Sequence, residues 1–299
     1  AKFGPLEASS ATPSVPFRGA IEPSPWVHKW NRAYVKRGGA NHRIRDAVCL
    51  TTSSSQIISA KFRYGYMDTH LEDEDVEVFM LDATTQTWTS LGTHRTSRRN
   101  EHSNFGDDKG GMVFIKLDGA KRKREPGCYP VRMVVRGDLS DAIGTLHVVE
   151  RHTPAVVIDI DGAVTNGIAH HHSRGAGTAP DVQDGVRELL ALWRTKGYMI
   201  VYISGRQDYY QQEMIAWLSR FAPPGVVCFN GTLRESRKSK HRVRMMTAAL
   251  KDLAKDNALD LRYAYGSTNT NIKTYKDVGI NPRSTFILGH KGGNGNTLP

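Results

Sequence analysis

Cysteine is scarce. Cys49, Cys128 and Cys228 are the three in 299 residues, far apart and without a CxxC spacing. That excludes a disulfide framework or a cysteine-rich zinc site, and reads as free thiols in a reducing compartment. Long apolar runs are missing too. No stretch of 18 apolar residues occurs, so no membrane-crossing helix is expected. The opening AKFGPLEASSATPSVPF lacks the apolar centre of a signal peptide. The first residue is not Met, as in a fragment of something longer. Acidic residues are outnumbered: the net charge is +11, with +3 in residues 1–150 and +8 in residues 151–299. A basic balance suits anionic partners, whether nucleic acid, anionic lipid or phosphorylated ligands. No RNP-like or helix-turn-helix pattern is present, so no nucleic-acid partner is expected.

What is there falls into two regions. Hydrophobic residues make up 39% of the chain, enough to build cores, and the length suits two domains. Residues 1–25 are rich in Pro, Ser, Ala and Gly and read as a disordered lead-in. The basic, aromatic stretch WVHKWNRAYVKRGGANHR has no clear periodicity. It reads as a packed connecting segment, with a membrane-facing arm as the other possibility, so residues 1–43 are expected to be lead-in and linker. From 44 to 150 short strands are expected: VEVFML (76–81), TWTSLGT (87–93), GMVFIKL (111–117), YPVRMVV (129–135) and GTLHVV (144–149). Gly- and Asp-rich turns separate them, which predicts an all-β sandwich domain. The run KRKR (121–124) reads as a solvated turn.

From 151 to 290 strands and helices alternate. AVVIDI, YMIVYIS (198–204), GVVCFN (225–230), LRYAYG (261–266) and STFILG (284–289) read as strands. APDVQDGVRELLALWRTKG, QDYYQQEMIAWLSRF, VRMMTAALKDLAKD and NIKTYKDVG read as helices, with Met214, Trp217, Leu218 and Phe221 as core. This order predicts an α/β domain with a parallel sheet, whose ligand site lies at the C-terminal strand ends. Residues 291–299 are expected to form a flexible tail.

Those strand ends carry the chemistry. Asp159 ends the first strand and Asp161 follows in the turn; Ser204-Gly205-Arg206 ends the second. Gly266-Ser267 ends a later strand, with Asn269 and Asn271 just beyond. Asp159 could attack phosphorus, and Asp161 could protonate the leaving oxygen and then activate water. Ser204 and nearby amides could hold phosphate oxygens. Such a site needs Mg²⁺ to offset its negative charge. The basic run RESRKSKHRVR (234–244) follows the third strand, and its Lys238, Lys240, Arg242 and Arg244 join Arg206 as candidate contacts for an anionic headgroup. A structural salt bridge is the competing reading of Arg206. His170, His171 and His172 read as a flexible loop. The roughly 20 residues between Asp161 and the next helix leave no room for a large cap.

AVVIDIDG followed by YMIVYISGR resembles the haloacid-dehalogenase-like phosphatases, which implies a Rossmannoid parallel sheet here without a large cap. A longer resemblance covers nearly the whole chain. AVVIDIDGAVT, GYMIVYISGRQD, IAWLSR, GVVCFN, AYGST and STFILG resemble the lipin-like domain of membrane-associated phosphatidylinositol transfer proteins of the Nir/retinal degeneration B class. KFRYGYMD, VEVFML, TWTSLGT and GCYPVRMVVRGD resemble the β domain that precedes it there. Two functions are implied. Lipins dephosphorylate phosphatidic acid with Mg²⁺. In the transfer proteins the domain senses phosphatidic acid without turnover, and directs a protein with an N-terminal lipid-transfer region to contacts between endoplasmic reticulum and plasma membrane.

Both aspartates are kept, as in lipins, but other positions depart. Ala163 replaces the expected Thr, Met246 stands at the expected Lys, and Asn271 at the expected acidic metal ligand. An amide oxygen still binds a metal but brings no charge, so the tentative Mg²⁺ set is Asp159, Asp161 and Asn271. The expectation is therefore a phosphatidic-acid-binding module, cytoplasmic and peripheral to the membrane, with degraded catalysis. A Mg²⁺-dependent phosphatidate phosphatase using Asp159, Asp161 and Ser204 is the alternative.

Overall fold

In a computed structural model of the chain, the described residues are 17, 21–53, 55–65, 67–82, 85–99, 101, 110–118, 124–166, 181–229 and 239–299, the side chain of Arg37 excepted. The three cysteines are free thiols. The chain divides between Val149 and Glu150 into two compact units.

The first unit is built from β1 (Arg43–Arg45), β2 (Ala47–Leu50), β3 (Ser55–Lys61), β4 (Arg63–Tyr64), β5 (Thr69–His70), β6 (Asp75–Leu81), β7 (Trp88–Arg95), β8 (Met112–Asp118), β9 (Gly127–Val135) and β10 (Asp141–Val149). A three-stranded sheet of order β1-β3-β8 faces a five-stranded sheet of order β2-β10-β9-β6-β7. Ile58, Val113, Ile115 and Leu117 of one meet Val78, Met80, Val131 and Met133 of the other in a single core. This is a β-sandwich, as the alternating strands predict. Strand β3 has no clear apolar signal because one of its inward residues is Gln56. That buried amide donates to the Arg124 carbonyl at 2.9 Å and accepts from the Arg124 N–H at 2.8 Å. A polar side chain bonded at both ends is tolerated inside.

The stretch expected as a connector is part of this unit. Lys29–Arg37 form helix α1. Trp26, Tyr34 and Val35 pack against the sandwich core. The helix entry is fastened by Glu74, 2% exposed. Its carboxylate accepts from Val27 N at 3.1 Å, His28 N at 2.9 Å and Asn31 Nδ2 at 2.9 Å. Two of these are backbone donors of the N-cap residue and the one before it, and a carboxylate at a helix N-terminus is also favoured by the helix dipole. The anchor lies more than 40 positions away, so no local pattern announces it.

The second unit runs β11 (Thr153–Asp159), α2 (Val186–Thr195), β12 (Met199–Ser204), α3 (Gln211–Leu218), β13 (Val226–Phe229), α4 (Ser239–Leu253), β14 (Leu259–Gly266), α5 (Asn269–Asp277) and β15 (Thr285–Ile287). The sheet order is β13-β12-β11-β14-β15, all parallel. β11 is buried on both faces, which is why it reads as an unbroken apolar run. Helix α2 starts later than its sequence pattern suggests, because Gly185 at φ +74° sits in the left-handed region just before it. The expected flexible tail is a correction: Leu298 runs parallel beside Phe286. Ile287 N–H donates to the Leu298 carbonyl at 2.9 Å, and Leu298 N–H to the Thr285 carbonyl at 2.8 Å. β15 is the edge of the sheet, and the tail satisfies backbone groups that an edge leaves open.

Glu74→Ala leaves buried donors without an acceptor. It is expected to lower the stability of the sandwich unit by about 1–3 kcal/mol and to speed hydrogen exchange at the amides of α1. Chemical denaturation and exchange mass spectrometry read both; unchanged exchange at α1 would rule out Glu74 as its anchor.

Candidate functional site

The sheet order reverses at β11. From there the chain builds β12 and β13 to one side, then β14 and β15 to the other. Such a switch point opens a crevice beyond the strand ends. Asp159 pairs in register with Ile203, one before Ser204, and Ile158 pairs with Tyr265, one before Gly266. The three expected strand ends therefore converge.

After Asp159 the chain makes a wide turn through Ile160–Val164. Gly162 is required there: its φ is +98°, and a Cβ would run into the Ser267 hydroxyl. Ala163 is buried. The hydroxyl lost at that position has a counterpart two residues on: Thr165 Oγ1 accepts from Gly162 N and donates to the Ile160 carbonyl, both at 3.1 Å. Ser267 Oγ donates to the Asp161 carbonyl at 3.1 Å and ties the turn to the β14 end.

Asp161 is closed by this chain's own donors. Ser204 Oγ donates to Oδ2 at 2.7 Å, and Arg206 Nε to Oδ1 at 2.6 Å. The Arg206 N–H donates back to Ser204 Oγ at 3.1 Å, so the SGR turn wraps the carboxylate. Both partners of this ion pair are largely buried. The salt-bridge reading of Arg206 is what the geometry displays.

Asp159 is buried at 3% exposure. Burial, and then the charge of Asp161, hold its carboxyl well above the usual carboxylate range; Asn271, Arg206 and Arg242 pull the other way. Asn271 is also buried and stands in the first turn of α5. Its Oδ1 accepts from Thr268 Oγ1 at 2.6 Å, Thr268 N at 3.0 Å and Ser267 N at 3.2 Å. Backbone N–H groups can only donate, so this atom is the oxygen, and the amide nitrogen is the group that hydrogen-bonds Asp159. Gly266 permits the arrangement, since a Cβ there would come within 2.6 Å of the Asn271 Cβ.

Mg²⁺ demands near-octahedral oxygen ligands at short range. The Asn271 oxygen already accepts three hydrogen bonds, and both Asp161 oxygens are engaged. Among the described residues no group of three or more His, Cys, Asp or Glu is placed to hold a metal. The arrangement does not fit Mg²⁺ with Asn271 as a ligand.

Of the basic candidates, Arg206 and Arg242 act on Asp159. Arg242 lies on α4 with its Cδ 3.5 Å from where a Gly205 Cβ would be. Met246, one turn further along α4, is buried. Lys240 and Arg244 are exposed on the same helix. Lys238, the three histidines and Lys121–Lys123 of the KRKR run lie outside the described residues. Thr268 and Thr165 hold the site together but were not singled out from the sequence. The legible signal for Thr268 is the capping box it forms with Asn271.

A raised carboxyl pKa makes stability fall as pH rises. Below about pH 4 Asp159 is protonated folded or unfolded. Above that the unfolded state releases its proton and the folded state resists, so native stability drops until the folded carboxyl ionises. Asp159→Asn removes this loss. The variant is expected to match the wild type near pH 4 and exceed it increasingly toward neutrality, in urea denaturation across that range. A constant difference would show that Asp159 ionises as freely folded as unfolded.

Comparisons with known proteins agree with this architecture. The model of the PITM 1-3 LNS2 domain matches residues 156–289, and that of the PITM 1-3 β-sandwich domain matches residues 40–148. Human membrane-associated phosphatidylinositol transfer protein 1 is 31% identical over 291 residues, covering 96% of this chain and 21% of that protein. Drosophila melanogaster protein retinal degeneration B is 31% identical over 271 residues, 89% of this chain and 20% of that protein. Human membrane-associated phosphatidylinositol transfer protein 3 is 29% identical over 267 residues, covering 88% and 25%. The chain spans about a fifth to a quarter of the length of these relatives. No helix among the described residues is long and apolar enough to cross a membrane. A β-sandwich domain followed by a haloacid-dehalogenase-like LNS2 domain, matched in that order, places this chain in the PITM 1-3 family of membrane-associated phosphatidylinositol transfer proteins.

Proposed function

We propose that the LNS2 domain of this chain recognises the phosphomonoester headgroup of phosphatidic acid at a membrane surface, without turning it over. The observation that carries the reading is the closure of both carboxyls by the chain itself. A nucleophile must be anionic to attack phosphorus. Asp159 is buried, resists ionisation and is held by the Asn271 amide. Asp161 is committed to Ser204 and Arg206. The Asp161 charge is offset by Arg206, and Arg242 adds positive charge beside Asp159. A phosphomonoester matches such a site, since charge-assisted donors in a partly buried crevice bind phosphate more strongly than neutral ones. Exposed Lys240 and Arg244 would meet neighbouring anionic lipids at about 1 kcal/mol each. The reading routes no step through Mg²⁺. Beside a lipid-transfer region, such a module would supply a membrane address, and contacts between endoplasmic reticulum and plasma membrane are the proposed place. Asp159, Asp161 and Ser204 at converging strand ends are the observation that keeps a Mg²⁺-dependent phosphatidate phosphatase as the second reading.

Vesicle co-sedimentation separates the two. Binding is expected to favour phosphatidic acid over phosphatidylserine at matched surface charge, and Arg242→Gln is expected to erase most of that preference. Phosphate release from phosphatidic acid with Mg²⁺ should equal that of Asp159→Asn. Indifference between the two lipids would sink the headgroup claim; release well above the variant would establish the phosphatase.

A further inference from the structure

Among the described residues six large hydrophobic side chains are exposed: Val27, Trp30, Met67, Leu139, Leu192 and Leu298. Four of the six belong to segments that are tied together at one end of the β-sandwich. Ser24 N–H donates to the Arg136 carbonyl at 2.8 Å, and the Trp26 ring lies against Gly137. Tyr64 OH donates to Asp138 at 2.8 Å, which brings the β4 end to the same turn. Gly38, just past α1, lies against Gly65, and Gly65 N–H donates to the Gly39 carbonyl at 2.9 Å. Residues 24–39, 64–65, 67–68 and 136–140 are thus one cluster of segments at α1.

The apolar side chains stand out from that cluster. Trp30 is 77% exposed, Met67 84% and Leu139 41%. Leu139 also sits at φ +61°. A leucine in the left-handed region is strained, where Asn or Gly would not be. Strain and exposure together are unfavourable for the isolated protein, so neither folding nor solubility accounts for leucine here. Beside these side chains α1, KWNRAYVKR, has four basic residues and no acidic one. Its inward side is Asn31, Tyr34 and Val35, and Lys29, Arg32 and Lys36 are exposed with Trp30. The acids of the cluster are already engaged: Asp68 with Arg43, Asp138 with Tyr64 and Ser140.

We propose that this end of the β-sandwich is a second lipid-contacting surface, which inserts Trp30, Met67 and Leu139 into the interface of an anionic bilayer while the lysines and arginine of α1 meet the headgroups. The chemistry favours a bilayer over a protein groove. Met67 and Leu139 project singly from turns and Trp30 from the first turn of α1, where a protein interface would present a continuous apolar core with a polar rim. Tryptophan suits the depth at which hydrocarbon meets headgroup, and basic side chains are drawn to anionic lipid. The contact reads charge and apolar depth, with no preference for one phosphate headgroup. It is independent of the strand-end crevice of the LNS2 domain.

The test uses the whole chain and vesicles of phosphatidylcholine with phosphatidylserine. The double variant Trp30→Ser/Leu139→Asn is expected to bind about tenfold more weakly or worse. Asparagine relieves the backbone strain at 139, so the variant keeps its fold and a binding loss is not unfolding. With brominated phosphatidylcholine in the vesicles, tryptophan emission is expected to be quenched in the wild type and much less in Trp30→Phe. These vesicles hold no phosphatidic acid, so binding to them reads this surface and not the headgroup preference of the crevice. Equal vesicle affinity of wild type and double variant overturns the proposal, as it would if the patch docked a protein. Equal quenching in Trp30→Phe overturns it as well.

Discussion

Two carboxyls at a strand end, one of them buried, cannot both stay ionised unless positive charge offsets them. Everything at the C-terminal edge of the parallel sheet answers to that constraint. A phosphatase of this fold is expected to meet it with a metal ion and a lysine. In this chain protein donors face both carboxyls. Ser204 and Arg206 close Asp161, and the Asn271 amide faces Asp159. The Asn271 oxygen is spent on Ser267 and Thr268, which orients the nitrogen toward the carboxyl. One side chain thereby starts α5, fixes the β14 turn and restrains Asp159. The same solution recurs in the sandwich, where buried Glu74 collects the donors at the entry of α1.

Much of this was legible in the sequence because it is local. The buried strands of the second unit read as apolar runs, and their ends place Asp159, Ser204 and Gly266 on one edge once a parallel sheet is assumed. The sandwich strands alternate and were visible for the same reason. What was hidden depends on partners far away in sequence. Strand β3 turns a glutamine inward and is rescued by the Arg124 backbone. Helix α1 has no convincing period and is held by a residue more than 40 positions on. The tail reads as Gly- and Asn-rich, yet it completes the edge of β15.

The site shows a finer limit. Composition marks 234–244 as basic but cannot say which charge turns inward. Arg242 is one helical turn before Met246, so both lie on the buried side of α4, while Lys240 and Arg244 flank it in solvent. A phase error of two residues would have chosen the wrong arginine. For Asn271 the residue type was legible and its orientation was not. A sequence reading treats an amide as an oxygen ligand, whereas the capping box decides which end faces the carboxyl.

The departures at Met246 and Asn271 are consistent with one another. A lysine on the buried side of α4 would bring a charge into apolar surroundings, and only an ionised Asp159 would repay its desolvation. An acid at position 271 would set a third carboxyl against two, and without a metal it would drive Asp159 further toward its protonated form. It would also confront backbone donors that now anchor a neutral amide. Either substitution alone therefore makes the crevice worse for the chain as it stands; only the pair, with a cation, would supply the balance of charge that phosphoryl transfer needs. The turn through Gly162 is built around the aspartates. Asp161 holds the SGR loop with its carboxylate and Ser267 with its carbonyl, a structural duty that does not depend on turnover.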